Sequence, residues 1–264
     1  MKLRIFKAVL IPVILFFCFC SAQAQDEIKW NVEKSTHFLV YYKDAKKDFI
    51  DEIIRYSEDY YDKIADNLGF RRYDFWLWDN RAKIYIYDDA DDYQDSTGQS
   101  SLFAGHASIK NKTIYTYPYE YGFFETTLPH EMGHIIFREF VGFDNPAIPL
   151  WLDEGVASFQ ESARIYSADA IVQASIRDGQ FMPLEDLSLR GPLQFQNRNT
   201  VNIFYAESVS IVNYLIKQFG RDNFVRFCQR LRDRRSLQDA LDYTYSFKNL
   251  QDLGNAWKKK LTNE

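Results

Sequence analysis

Residues 127–137 read TLPHEMGHIIF, with His130 and His134 four positions apart and Glu131 directly after the first. On a helix, positions i and i+4 lie on one face, one turn apart. Both rings then point the same way and can reach one metal ion at about 2.0–2.1 Å without bending the helix. Glu131 falls about 100° round the helix from His130, too far to share the metal but placed to reach a water held there. Thr126 or Thr127 can cap the helix, Pro129 is tolerated in its first turn, and Gly142 ends it. Leu128, Ile135, Ile136 and Phe137 surround the polar trio and restrict water access. The pattern therefore demands a half-buried helix and a third donor brought from elsewhere in the chain.

The segment IPLWLDEGVASFQE (148–161) can supply it. Glu154 follows His134 by twenty positions, enough to leave one helix, turn through Gly142–Pro149, and return antiparallel with a carboxylate toward the imidazoles. Gly155 removes a side chain where two helices must approach closely. Two histidines and one carboxylate leave the fourth tetrahedral position of a zinc ion open, which is the pattern of catalytic sites and not of closed structural ones. Asp153 is the rival third donor. Ser158 and Glu161, one and two turns beyond Glu154, are candidates to orient the ligand imidazoles.

The first two dozen residues are of another kind. Lys2, Arg4 and Lys7 precede the apolar run Ala8–Cys20, and Ala22-Gln23-Ala24 follows. That is the layout of a signal peptide cleaved after Ala24, so residues 25–264 would be exported to the periplasm or the medium, without stable membrane insertion. Removal of the leader takes three of the 32 basic residues and no acidic ones, leaving 29 against 37 and a net charge of −8. Such an acidic chain has little reason to bind nucleic acid or anionic lipid. Of three cysteines only Cys228 remains, so no intrachain disulfide can form and the core alone must hold the fold. Cys228 lies in the helical pattern FVRFCQRL, as a buried, inert thiol does.

No linker or repeat divides residues 25–264, which read as a single domain. Strands are predicted over 36–42 and 82–87, a helix from Phe49 to Gly69 between them, and a hairpin over 106–117 with Asn111 and Lys112 at its tip. The acidic run DDADDYQD (88–95) lacks the spacing of a calcium loop and reads as a solvated turn or a helix start. Helical patterns follow at 127–141, 151–163, 166–177, 201–219, 222–232, 236–242 and 249–261. The class is α+β: a sheet-containing part over about 25–145, a helical part over about 146–264, and a cleft where NPAIP interrupts the pattern. FWLWD (75–79) could mark an aromatic carbohydrate- or surface-binding module, but its rings are expected to pack between the first helix and the strand at 82–87. His37 opens a strand and carries no signal.

Three blocks in order, LPHEMGH, PLWLDEGVASF and FYAESVSIVNYLIKQFG (204–220), resemble the gluzincin zinc peptidases, most closely the bacterial peptidase MA-like domains. The likeness runs from about residue 36 to 262. It implies a zincin-like fold and one zinc per chain held by His130, His134 and Glu154, the WLxEG frame choosing Glu154 over Asp153. It also implies Glu131 as general base toward a zinc-activated water, a peptide or protein substrate, and Tyr205 as the phenol facing the oxyanion. Tyr205 fits on its own terms too, as the one polar tip in a stripe formed with Val201, Phe204, Val212, Leu215 and Phe219. The chain departs from the aminopeptidases among these enzymes, whose Gly-x-Met-Glu-Asn segment holds the substrate amine with its glutamate. The matching FAGHASI (103–109) has no acid, so an endopeptidase is expected, with His106 either contacting substrate or serving a local role. The alternative is a zinc-bearing binding or scaffold protein of the cell envelope with little turnover.

Overall fold

A five-stranded sheet forms in the first half of the chain: β1 (Asn31–Lys34), β2 (Phe38–Tyr42), β3 (Ala82–Ile86), β4 (Gly105–Ser108) and β5 (Thr113–Thr116). The computed structural model describes residues 29–70, 76–100, 105–118 and 122–262. The leader expected at 1–24, and Phe75, Phe103 and Ala104 of the quoted motifs, lie outside them. The strand order is β1-β2-β3-β5-β4, with β2, β3 and β5 parallel and β1 and β4 antiparallel to their neighbours. The sheet is thus mixed, and β4 forms one edge. Strand β1 was not anticipated, because NVEK is short, polar and mostly exposed and shows no alternation.

Phe38, Val40, Ala82, Ile84, Ile86 and Ile114 bury one face of the sheet. On the other face the rings of Tyr41, Tyr85, Tyr115 and His106 stack across four strands, with neighbouring centroids 4.5, 5.5 and 4.9 Å apart. Helix α1 (Lys47–Leu68) packs Ile50, Ile53, Ile64 and Leu68 into the core and ends at Gly69, whose φ of 76° suits a residue without a Cβ. The acidic run becomes helix α2 (Ala90–Thr97), because the Asp89 carboxylate caps it by accepting the Asp92 N–H at 2.9 Å.

The second half is helical: α3 (Leu128–Val141), α4 (Leu150–Ser158), α5 (Ser162–Arg177), α6 (Leu184–Leu189), α7 (Arg198–Phe219), α8 (Arg221–Arg232), α9 (Leu237–Tyr245) and α10 (Leu250–Thr262). Two expectations are corrected, and one helix, α6, was not anticipated. Neither Thr126 nor Thr127 caps α3, since a π-helical turn over Phe123–Thr127 runs straight into it, and the Thr126 hydroxyl donates instead to the Gly122 carbonyl. The helix expected over 151–163 stops at Ser158, and a new one starts at Ser162. Helix α6, six residues long, is too short to show a period. One apolar core runs from Phe38 and Ile84 of the sheet through Met132 and Phe137 of α3 to Leu253 and Trp257 of α10, and a smaller cluster of Tyr87, Tyr93 and Tyr117 holds α2.

Helix α4 lies between α3 and α7, and two glycines permit it. A Cβ on Gly133 would stand 3.0 Å from the Ala157 Cα, and one on Gly155 would stand 2.8 Å from the Ser208 carbonyl carbon and nearer still to its oxygen. Because backbone cannot yield as a side-chain tip does, Gly155→Ala should lower stability by about 2–4 kcal/mol. A denaturant midpoint equal to wild type would contradict the packing.

Glu207 of α7 is fully buried and accepts the Met182 N–H at 3.1 Å and the Ser175 hydroxyl at 3.3 Å. Burial outweighs these bonds and pushes its carboxyl up from 4.5 to about 8. Between those values the folded chain keeps a proton that the unfolded chain has lost. Stability should therefore fall with rising pH across that window, by roughly 1.4 kcal/mol per unit, and level off above it. Glu207→Gln should flatten this slope in denaturant titrations from pH 5 to 9; parallel curves for the two proteins would refute the assignment.

Candidate metal centre

Helix α3 presents His130 and His134 on one face, their Nε2 atoms 3.2 Å apart. Glu154, from α4, places Oε2 3.5 Å from the first and 3.6 Å from the second. Each ring is fixed from behind. His130 Nδ1 donates to Glu161 Oε1 at 2.8 Å, and His134 Nδ1 donates to Asp153 Oδ1 at 3.2 Å. A carboxylate only accepts, so each Nδ1 carries a proton, which leaves each Nε2 as the nitrogen that would face a bound cation. Arg138 holds Asp153 through Nε at 2.9 Å and Nη2 at 2.8 Å, and Arg164 Nε holds Glu161 at 3.0 Å.

Two imidazole Nε2 atoms and a carboxylate oxygen thus converge, and Glu154 Oε2 is buried without a hydrogen-bond partner among the described residues. Donors about 2.0–2.1 Å from a tetrahedral zinc stand roughly 3.3–3.4 Å apart, which the three observed separations match. Residues His130, His134 and Glu154 therefore fit a metal ion, and nitrogen–nitrogen–oxygen is a donor set suited to zinc.

The electrostatics agree. Burial alone would raise the Glu154 carboxyl, but the two imidazoles hold it far below the usual range. Burial opposes charge on His134, yet Asp153 and Glu154 outweigh it and raise the ring well above its ordinary value. The cluster attracts positive charge. Beside it stands Glu131, half-buried, with its pKa raised by burial, which the two imidazoles and the Ala107 backbone N–H of β4 partly offset. The edge strand therefore forms one wall of the site. Tyr205 of α7 forms part of the opposite wall, its ring 6.4 Å from that of His130 and 5.0 Å from the Arg164 guanidinium. Burial and the Glu154 charge push the phenol pKa upward, so the hydroxyl keeps its proton at neutral pH.

All five residues singled out in the sequence meet here. The second-rank expectations divide. Asp153, the rival donor, reaches His134 from behind and so orients the ring. Glu161 orients His130 as anticipated, whereas the Ser158 hydroxyl is buried with no partner among the described residues. His106 has a local role, its Nδ1 2.6 Å from the Tyr93 hydroxyl, and His37 pairs with Glu58 and stacks on Tyr61. Cys228 is fully buried and its thiol is pushed up, as an inert core residue. Sequence reading missed Arg138, Arg164 and the Ala107 N–H. The two arginines stand four and three positions after His134 and Glu161, a same-face spacing that could have flagged them; a backbone N–H gives no such signal.

The profile of the Peptidase MA superfamily matches residues 78–263, from the turn before β3 through α10. No curated protein gives a match. Among solved structures, that of native yeast LTA4 hydrolase is similar at 13% identity and a TM-score of 0.49, over 87% of this chain and 38% of that one. The chain thus spans well under half of that protein.

The geometry predicts about one zinc per chain in the purified protein, with Glu154→Ala sharply weakened. Asp153→Asn should keep the stoichiometry but bind about 10–100-fold more weakly, since it touches the ring and not the ion. Elemental analysis with competitive metal titration decides this; unaltered affinity in Glu154→Ala would remove it from the donor set.

Proposed function

The chain belongs to the Peptidase MA superfamily, and from that premise we propose that it is an exported zinc metallopeptidase of the gluzincin kind. His130, His134 and Glu154 would hold the ion. The observation that carries the reading is the convergence of two imidazole Nε2 atoms and an unpartnered carboxylate oxygen, with a second carboxylate, Glu131, beside them.

When bound, zinc supplies Lewis acidity, lowering the pKa of a water and polarising a carbonyl. The remaining work falls to side chains. Glu131 takes the proton of the attacking water and delivers it to the departing amine. Burial raises its carboxyl pKa, which favours proton uptake. Tyr205, protonated at neutral pH, donates to the carbonyl oxygen as charge develops there. Asp153 and Glu161 keep both rings in the tautomer that offers Nε2 to the ion.

Substrates are peptides or proteins, cut internally. The basis is β4, whose residues Gly105–Ser108 include no carboxylate to hold a free substrate amine. Export rests on the leader pattern at 1–24. Among the described residues no helix is long and apolar enough to cross a membrane. Residues 25–264 would form one peptidase domain, with the sheet and helical parts flanking the site.

Glu131→Gln keeps the donors and loses the base. It should bind zinc as wild type does while kcat falls about 100- to 10,000-fold on a quenched peptide library. Substantial turnover by this variant would refute the role of Glu131. A zinc-loaded wild type that cleaves nothing in the library would favour the zinc-bearing scaffold instead.

A further inference from the structure

The segment Trp76–Asp79 splits in a way its sequence does not announce. Trp76 is fully buried against Phe38 and Tyr61 and donates its indole N–H to Glu139. Trp78, two positions on, is 80% exposed. Its φ is +54°, in the left-handed region that a bulky side chain rarely occupies. Such strain persists only where the surroundings impose it. Here cations do so, by holding backbone carbonyls: Arg81 Nη1 donates to the Trp78 carbonyl at 3.3 Å, Arg81 Nε to that of Thr36 at 3.0 Å, and Lys112 Nζ to that of Asn80 at 2.8 Å. A large aromatic ring is thus held in water by a strained backbone, which is the reverse of what stability favours.

The ring borders a groove of about 460 Å³ lined by Lys34, Ser35, Thr36, Leu77, Trp78 and Arg81. The groove lies where β1 ends and β2 and β3 begin. It is well removed from the metal centre: Lys112, which ties down Asn80, also pairs with Glu139, nine residues or roughly 13 Å along α3 from His130. It combines one aromatic face, two cations and two hydroxyls, in a chain that carries net negative charge. We infer that this groove is a binding site for an acidic carbohydrate, with Trp78 stacking on a sugar ring and Lys34 and Arg81 pairing with its carboxylate or sulfate groups. A bilayer fits less well: among the described residues the groove holds a single large ring, Trp78, set among cations and hydroxyls. The inference does not depend on the peptidase reading.

The test is binding of the full chain to immobilised alginate and chondroitin sulfate, to a neutral glucan, and to anionic phosphatidylglycerol vesicles. Retention by at least one acidic polysaccharide, weakened by salt and absent on the neutral glucan, is expected. Trp78→Ala and Arg81→Gln should each lower that affinity tenfold or more while zinc content stays at the wild-type level. Trp78→Gly should lose the same binding yet melt at the same or a higher temperature, because glycine relieves the left-handed strain. No retention by either acidic polysaccharide overturns the inference. So does equal retention by wild type and variants, or vesicle binding as the only activity that the substitutions remove.

Discussion

Everything at the candidate metal centre depends on how closely α4 can approach α3 on one side and α7 on the other. Gly133 meets the Ala157 Cα and Gly155 meets the Ser208 carbonyl at distances that leave no room for a methyl group. That contact brings Glu154 Oε2 within 3.6 Å of both imidazole nitrogens. It also lines up α7, so that Tyr205 comes to stand beside His130.

Bringing those groups together has an electrostatic cost that a second layer manages. Four carboxylates, on Glu131, Asp153, Glu154 and Glu161, stand around two imidazoles in a partly dry region. Arg138 balances Asp153 and Arg164 balances Glu161, so the two carboxylates behind the rings are satisfied while Glu154 Oε2 is left without a donor. The imbalance is concentrated at one point, which is the arrangement a cation requires. Arg164 also lies over the Tyr205 ring, so the group behind His130 and the phenol in front of it share one guanidinium.

The sheet contributes by its edge. Among the described residues β4 has a neighbour only on the β5 side, and its Ala107 N–H favours the charged form of the Glu131 carboxylate. Behind it, the stacked rings of Tyr41, Tyr85, Tyr115 and His106 join β2, β3, β5 and β4, a side-chain ladder that stiffens four short strands. Sites built on such braced elements hold their geometry better than sites on loops.

The sequence by itself pointed to the candidate donors. His130 and His134 at i and i+4 are legible because helical spacing alone decides which side chains share a face, whereas the preference for Glu154 over Asp153 came from the WLxEG frame of the resembled family. The α+β order was legible for a similar reason, since strands and long amphipathic helices each carry their own period. Tertiary structure alone decided the rest. Whether Asp153 or Ser158 would serve the histidines turned on which way α4 rotates against α3, and that angle is set by packing at Gly133 and Gly155. The polar strand β1 and the six-residue α6 exist because neighbours pair with them, not because their own residues show a pattern. Trp76 and Trp78 are the same residue type two positions apart, and only the fold sends one into the core and the other into water. Local periodicity records which face a residue occupies; what lies opposite that face is fixed by contacts between parts of the chain far apart in sequence.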